Sequence, residues 1–463
     1  MATVVTNIGS NTSIDTETPT TCSGSSSPYT VQFGTDPTGV SIGDIAVIND
    51  STMGAEFTFL VTNISGSAYT LTYMSDDSGM GDTSPCDMYN EMFGQASATF
   101  KRAYSTISAW DSGLDNSDIY SSGDTAQGEM YDDSDFLNSS AITITGGGTV
   151  DLNHRTLTAA VGQRHDGTAN TGVRLLRNAD SDSNFLRIDS SVGSTSSEGN
   201  QIEWLELDAN EKNVRAIVSL GTYCGAQNNL VHGGRWSGGN QVTNGISSGA
   251  KQNWICNNIV YDLYLDNGSS NAAGVYGIYQ SHIDWVACVN NTVYNVRSNS
   301  SESADACVGI WVRDGWYDPM VCNNICLDTT ADNGDSPDFG VEYSTIPYVH
   351  VVSNYSSDDT ATGGDYQHNQ SAANTFVSVD SGTEDFHLKD GSNALRAGKD
   401  MGSHEASFHS RRMPYNPYDW DVDINGRDRD SEGDDWDIGA HQCESCSEDA
   451  AATGNPAFML FFD

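Results

Sequence analysis

The sequence predicts an all-β protein whose second half is a solenoid of stacked coils. Three observations carry that reading. The first is composition: in 463 residues the hydrophobic share is only 37%, and 46 glycines accompany many Ser, Thr, Asn and Asp residues. Such a mixture is either disordered or rich in β-turns, and 14 Phe, 20 Tyr and 9 Trp spread along the chain argue against disorder. The second is a repeat of Asn-Asn pairs at Asn228-Asn229, Asn257-Asn258, Asn290-Asn291 and Asn323-Asn324, with a degenerate Ser353-Asn354 next, in steps of 29, 33, 33 and 30 residues. The third is Gly followed by Ile or Val at Gly245, Gly277, Gly309 and Gly340, in steps of 32, 32 and 31. Two markers in near-constant phase at this period are the signature of a solenoid.

The elements of each coil follow from the residues between the markers. A short β-rich run follows each Asn pair: Ile259-Val260-Tyr261, Thr292-Val293-Tyr294 and Ile325-Cys326-Leu327. No repeat holds a stretch of helical apolar periodicity, so helical repeats are disfavoured. Each period therefore reads as one coil of three short parallel strands. Asparagine suits a corner because it tolerates the left-handed region and its carboxamide can bond from coil to coil. The glycines are expected to supply another bend. A single coil cannot bury its apolar face, so coils must stack and the ends need caps.

With these marks the chain resembles right-handed parallel β-helix proteins of the pectin-lyase-like kind. The resemblance covers about residues 200–360, through the Asn-Asn-x-Val-Tyr-Asp/Asn and Gly-Ile repeat. It also rests on Asp385-Phe386-His387-Leu388-x-x-Gly391-Ser392-x-Ala394-Leu395-x-x-Gly398 and on Asn425-Gly426-Arg427 followed by Asp437-Ile438-Gly439-Ala440. Upstream, Tyr104-Ser105-Thr106-Ile107-x-x-Trp110 with Gly123-Asp124 and Gly128-Glu129 resembles the entry segment of phage-borne β-helix proteins. The resemblance implies a fold shared by lyases, hydrolases, phage tailspikes, adhesins and inert shafts, so it does not settle function.

Three domains are expected. Residues 1–95 alternate β-rich runs such as Phe57–Val61 and Tyr69–Tyr73 with Gly, Ser and Asp turns, a small β-sandwich or barrel for attachment or capping. Residues 96–400 form the β-helix, entered through a capping helix at Ala98–Trp110 and a strand at Ile142–Ile144. Residues 401–463 form an irregular acidic extension with an apolar tail, Phe458–Phe462, which either folds back or docks into a neighbouring subunit.

Charge narrows the partners. With 20 Lys and Arg against 63 Asp and Glu the net charge is −43, which disfavours nucleic acid and anionic membranes and attracts divalent cations or a basic partner. The start lacks a basic and apolar leader, and no apolar run is long enough to span a bilayer. Of the cysteines, Cys256 and Cys322 hold equivalent places two strands apart, about 9.6 Å at strand spacing and beyond disulfide reach. Cys443 and Cys446 form a lone CxxC, and Cys22 and Cys86 are candidates for a bridge.

Two constellations carry candidate chemistry. Asp421, Asp423, Asn425, Gly426 and Glu432 match the spacing of an EF-hand loop, giving a candidate Ca²⁺ site in which alternate oxygens converge on one centre. It competes with a solvated acidic turn, because no helices flank it. The second is the face after the Gly-Ile marker, where Ser247, Tyr279, Trp311 and Glu342 align at one level, with Lys251, His282, Asp314 and Thr345 further along and Arg313 beside them. Tyr279, Trp311, His282 and Glu342 form a candidate sugar-binding wall, since the C–H faces of sugars pack on aromatic rings. Lys251 and Arg313 as bases, with Asp284 and Asp314 as calcium ligands, form a candidate β-elimination set.

The function expected from the sequence is an external structural protein of a virus particle, a spike, fibre or capsid decoration, with polysaccharide as a candidate ligand. It is expected at the virion surface or outside the cell, as a homo-oligomer, a trimer in the first instance, or bound to other virion proteins. A polysaccharide lyase or hydrolase, and a subunit of an extracellular filament, are the alternatives.

Overall fold

Asparagine in the left-handed region turns each corner. Asn228, Asn257, Asn290, Asn323 and Ser353 have φ of 54°, 55°, 56°, 54° and 52°, values that Asn tolerates better than most residues because its short polar side chain bonds locally. The computed structural model describes residues 2–10, 13–50, 55–76, 97–189, 199–237, 241–266, 274–281, 286–300, 306–314, 319–333, 335–343, 350–361, 363–401, 420–432 and 435–443. They fall into two units: Met1–Phe136, Thr143–Gln163 and Ser190–Asn200 in the first, and Leu137–Ile142, Arg164–Asp189 and Gln201–Asp463 in the second.

The second unit is a parallel β-helix. Its first sheet stacks Cys224–Gln227, Trp254–Cys256, Ala287–Val289, Met320–Cys322 and His350–Val352. After the Asn corner comes the second sheet: Arg174–Arg177, Glu206–Asp208, Leu230–His232, Ile259–Leu265, Thr292–Ser298, Ile325–Leu327 and Tyr355–Ser356. The third stacks Leu186–Ile188, Ala216–Leu220, Val242–Ser248, Gly274–Gln280, Ala306–Asp314 and Phe339–Tyr343. Every lateral pairing is parallel and joins successive coils. Val231, Val260 and Val293 of the second sheet, Val218, Ile246, Ile278 and Ile310 of the third, and Ile255 and Val321 of the first are fully buried.

The second Asn of each pair forms the ladder. Asn229, Asn258, Asn291 and Asn324 are fully buried. Each donates both its backbone N–H and its Nδ2 to Oδ1 of the Asn one coil on, at 3.0–3.1 Å. Each Nδ2 also reaches a strand carbonyl at 2.8–3.0 Å. The buried carboxamide is thus satisfied by its neighbours alone.

The marker glycines play a different part from the bend expected of them. Gly245, Gly277 and Gly309 lie inside strands of the third sheet, where a Cβ would come within 2.4 Å of Val260 Cγ1, 2.5 Å of Val293 Cγ1 and 1.9 Å of Cys326 Sγ. They are glycine because the coil is too narrow there for any side chain.

In the first unit, seven antiparallel strands run in the order Asp15–Glu17, Ser97–Arg102, Asp44–Asp50, Ala55–Ser65, Ala68–Asp76, Tyr29–Phe33, Pro19–Ser23. The two edge strands are separated in sequence only by Thr18, so the sheet is nearly a closed barrel. It is filled by Tyr29, Phe33, Phe57, Phe59, Tyr69 and Phe100, with Phe33 edge-on to Phe100 and Tyr69 at 5.2 and 5.4 Å. The capping helix expected at Ala98–Trp110 is displaced. Ala98 and Phe100 alternate with half-buried polar residues in a strand, and the helix is Ile107–Gly113, where Thr106 accepts the Ala109 N–H. Thr3–Ile8 pairs in parallel with Thr125–Met130, which also pairs with His154–Ala159, so a parallel stack already begins at the start of the chain.

Cys256, Val289 and Cys322 stand in register on successive strands, as expected. They, with Cys224, Cys288, Cys307 and Cys326, include six buried free thiols, whereas Cys22 and Cys443 are each in a disulfide. Cys86, Cys446 and the apolar tail lie outside the described residues.

Replacing Asn291 by Ala strands the buried backbone N–H of Asn258, at a cost of about 1–3 kcal/mol, and also removes the Asn291 carboxamide's own bonds to Asn324 Oδ1 and Ile255 O. Urea unfolding is expected to show a loss of roughly 3 kcal/mol, against little change for Ser219→Ala on the outer face.

Candidate functional site

Two of the three outer faces are covered by the C-terminal segment. Trp420, Trp436 and Met401 pack on Trp254, Cys256, Ala287, Val289, Met320 and Cys322 of the first sheet. Phe376, Phe386, Leu388, Ile424 and Ile438 pack on Leu230, Ile259, Tyr261, Ile325 and Leu327 of the second. The first Asn of each pair holds the segment: Asn228 Nδ2 donates to Asp423 O at 2.6 Å, Asn257 to Val422 O at 2.9 Å, Asn290 to Trp420 O at 3.1 Å and Asn323 to Lys399 O at 2.8 Å. The extension is irregular in backbone but is an integral lining of the corner.

The acidic loop belongs to this lining. Asp423 is fully buried. Its Oδ1 accepts the N–H groups of Asn425 and Arg427 at 2.9 and 2.8 Å, and its Oδ2 accepts Gln442 N–H at 2.9 Å. Asn425 bonds His387 through its carboxamide. Asp421 is half-buried, and the backbone at Glu432 lies in the short 3-10 helix Arg429–Glu432. The cation beside these carboxylates is Arg429, fully buried, donating to Gly439 O at 2.9 Å and Asn257 Oδ1 at 3.2 Å. Burial lowers its pKa, while Asp423, Asp437 and Asp421 act in the opposite direction. The EF-hand spacing here coincides with a turn whose central carboxylate, Asp423, caps three backbone donors.

Among the described residues the third sheet's outward face is the open one. Register places Arg187, Ser219, Ser247, Tyr279, Trp311 and Gly340 in one column. Ser247, Tyr279 and Trp311 align as expected, but Glu342 does not join them. The last coil has slipped by two residues, setting Gly340 opposite Trp311 and Glu342 opposite Arg313. Glycine permits this register: a Cβ on Gly340 would come within 2.5 Å of the Trp311 ring. Arg313 and Glu342 form an exposed pair at 3.5 Å. Tyr276 packs against Tyr279 at 4.8 Å and edge-on to Trp311 at 6.2 Å, and burial pushes its hydroxyl pKa up to about 12.

Tyr279 closes one end of a groove of about 500 Å³ lined by Asn184, Arg187, Asp189, Arg215, Ser219, Thr222, Asn244 and Ser247. Among the described residues Asp189 is the single carboxylate in the lining, and it is bound by Arg187 at 2.6 Å. Arg215 is exposed and makes no ion pair among the described residues. Asn244 is 4% exposed and its Oδ1 has no hydrogen-bond partner among the described residues. Lys251 is exposed, next to the lining residue Ala250. His282, Asp284 and Thr345 lie outside the described residues, as does the side chain of Asp314. Arg187, Asp189, Arg215 and Asn244 escape a sequence reading that begins at Gly245, because the coil at Ala216–Leu220 has no Gly-Ile marker and its corner carries Trp204-Leu205 in place of an Asn pair.

Three short sheets closed into stacked coils, two faces sealed and one grooved, define a parallel β-helix protein. No protein family description matches the sequence, and no curated protein matches it significantly. Among solved structures the chain is similar to pectate lyase Pel9A at 13% identity, covering 74% of this chain and 92% of that one, with a TM-score of 0.34. It is also similar to the Gp54 tailspike of Acinetobacter baumannii bacteriophage AP22 in complex with A. baumannii capsular saccharide, at 9% identity, 79% and 62% coverage and TM-score 0.16. The tailspike protein gp49 from Pseudomonas phage LKA1 matches at 11%, 81% and 66%, with TM-score 0.14. The chain spans about two thirds of the two tailspikes. The fold assignment rests on this chain's own sheets, not on these scores.

Two predictions concern the C-terminal lining. Asp423→Asn is expected to lower stability by about 2 kcal/mol, through lost charge-assisted bonds, by the same amount with calcium and with chelator in thermal melts. The second concerns pH. Burial, then His387 and the neighbouring guanidiniums, push the pKa of His441 down to about 2 from the ordinary 6.5, and its Nδ1 accepts Leu388 N–H at 3.0 Å. A depressed pKa gives stability that is full above pH 6.5 and is lost as pH falls towards the folded value. His441→Gln removes this titration, so its stability relative to wild type should rise steadily as urea melts are repeated from pH 7 down to pH 4.5.

Proposed function

We propose that this chain is an external structural β-helix protein that binds polysaccharide along its third sheet, as a spike, fibre or decoration of a virus particle. The observation that carries the reading is the groove on the open face. It runs across several coils, as an extended polymer requires. It ends on the Tyr279 ring with Trp311 one strand beyond, surfaces on which sugar C–H faces pack. It is otherwise lined by guanidinium, carboxamide and hydroxyl groups, the donors and acceptors that hydroxyl-rich ligands need. Asn244, buried with an unpartnered oxygen, offers an acceptor to a ligand hydroxyl.

Binding without cleavage fits the residues present. A glycosidase needs two carboxylates about 5–10 Å apart, and among the described residues the lining holds one, already paired with Arg187. Lys251 follows the strand Val242–Ser248 and Arg313 lies two strands away in Ala306–Asp314, paired with Glu342. The −43 charge and the stiffness of stacked coils suit a part that stands in solution on a particle. Closed symmetry is the rule for such parts, and a trimer is the expected state. Among the described residues no helix is long and apolar enough to cross a membrane.

The test is a glycan panel of capsular and other acidic and neutral polysaccharides, scored for both binding and new chain ends. Wild type is expected to bind at least one polymer without shortening it. Trp311→Ala and Arg215→Ala should each weaken binding about tenfold, equal to 1.4 kcal/mol, while Arg313→Ala leaves it unchanged. Release of unsaturated or reducing ends would replace this reading with the lyase or hydrolase one.

A further inference from the structure

On the second sheet, outside the groove, three ligating side chains meet. Strand register sets Asp208 beside His232, with Glu206 two residues before Asp208 on the same face. One ligand atom from each of Glu206, Asp208 and His232 lies within 4.8 Å of the others. His232 Nε2 is 3.1 Å from Glu206 Oε1, and Nδ1 is 3.7 Å from Asp208 Oδ1. We propose that Glu206, Asp208 and His232 form a binding site for one transition-metal dication of the Zn²⁺ type.

The donor set suits such an ion: one imidazole and two carboxylates match the nitrogen and oxygen preference of Zn²⁺ and its neighbours better than the all-oxygen shell of Ca²⁺. All three ligands stand on strands, which fixes them better than a loop would. Each is oriented from outside the cluster. Glu206 Oε2 accepts Asn170 N–H at 2.7 Å, leaving Oε1 towards His232. Asp208 Oδ1 accepts Asn210 N–H at 2.6 Å, and the imidazole stacks on Tyr261 at 4.6 Å and 15°. Supporting groups of this kind are what hold metal ligands in place.

The electrostatics also call for a cation. Glu206 is fully buried, and a buried carboxylate needs a partner charge. Asp208 adds a second carboxylate beside it, 3.7 Å from the imidazole. Against these stand Arg174, 3.9 Å from Asp208, and His232 itself. The imidazole bridges both carboxylates in the ion's absence; with the ion bound, one ring nitrogen and one oxygen from each carboxylate would hold it. Asp208 and His232 remain 14% and 13% exposed, enough for water to complete the shell.

Cobalt(II) is the probe, because its visible bands report coordination by protein ligands. The whole chain is titrated with Co²⁺ in excess Mg²⁺, which saturates general attraction to the −43 surface. One equivalent is expected to give a visible band that Zn²⁺ bleaches. His232→Gln and Glu206→Gln should each weaken binding about tenfold or more. Melting in chelator confirms that each variant is folded, and His232→Gln, the less buried change, serves alone if Glu206→Gln is not. No band, or equal affinity in wild type and His232→Gln, would overturn the site and leave only surface attraction.

Discussion

The ladder of buried asparagines is the constraint on which the rest depends. A corner with φ near 55° exposes backbone N–H groups that no strand can satisfy, and in a coil this narrow they face the interior. The second Asn of each pair supplies the acceptor and in turn needs one from the next coil. The bond pattern therefore cannot be completed within one coil, and the period of the sequence is the period of that dependence. The valines and isoleucines of the lumen supply apolar burial, while the carboxamides fix the stacking distance and the register.

The same corner decides which face is free. The first Asn of each pair points away from the lumen and holds the backbone of residues 399–423. That docking puts two tryptophans, Trp420 and Trp436, and a buried guanidinium over two faces of the coil stack. Arg429 lies among Asp421, Asp423 and Asp437, so an acidic extension of a strongly acidic protein is packed around a cation of its own. What remains open is the third sheet, with its groove and its aromatic wall. The His–Glu–Asp cluster stands on the covered second sheet, so the proposed polymer groove and the proposed metal site are separate chemistries.

Much of the fold was readable because its rule is local and repeated. The Asn pairs, the cysteine register and the Ser247–Tyr279–Trp311 column all follow from counting residues. Reading failed where the count hides a choice. Gly340 keeps the marker's spacing within one residue, yet it pairs with Trp311, two places out of register, which parts Glu342 from the wall. Ala98–Arg102 carries fair helix formers but alternates in burial, and pairing with Asp44–Asp50 made it a strand. In the Asp421–Glu432 loop the spacing does not reveal that the Gln442 N–H and Arg429 lie against its carboxylates. Arg187, Asp189 and Arg215 come from coils without markers and were visible only once strands were paired.

Hydrogen exchange of the intact protein tests the ladder most directly. The N–H groups of Asn229, Asn258, Asn291 and Asn324 donate to side chains, not to a strand partner, so their protection reports the carboxamides themselves. These four amides should exchange only with unfolding of the whole β-helix, as slowly as Val260 and Val293 in the lumen. Exchange on the timescale of the exposed turns would contradict the claim that the asparagine column holds the coils together.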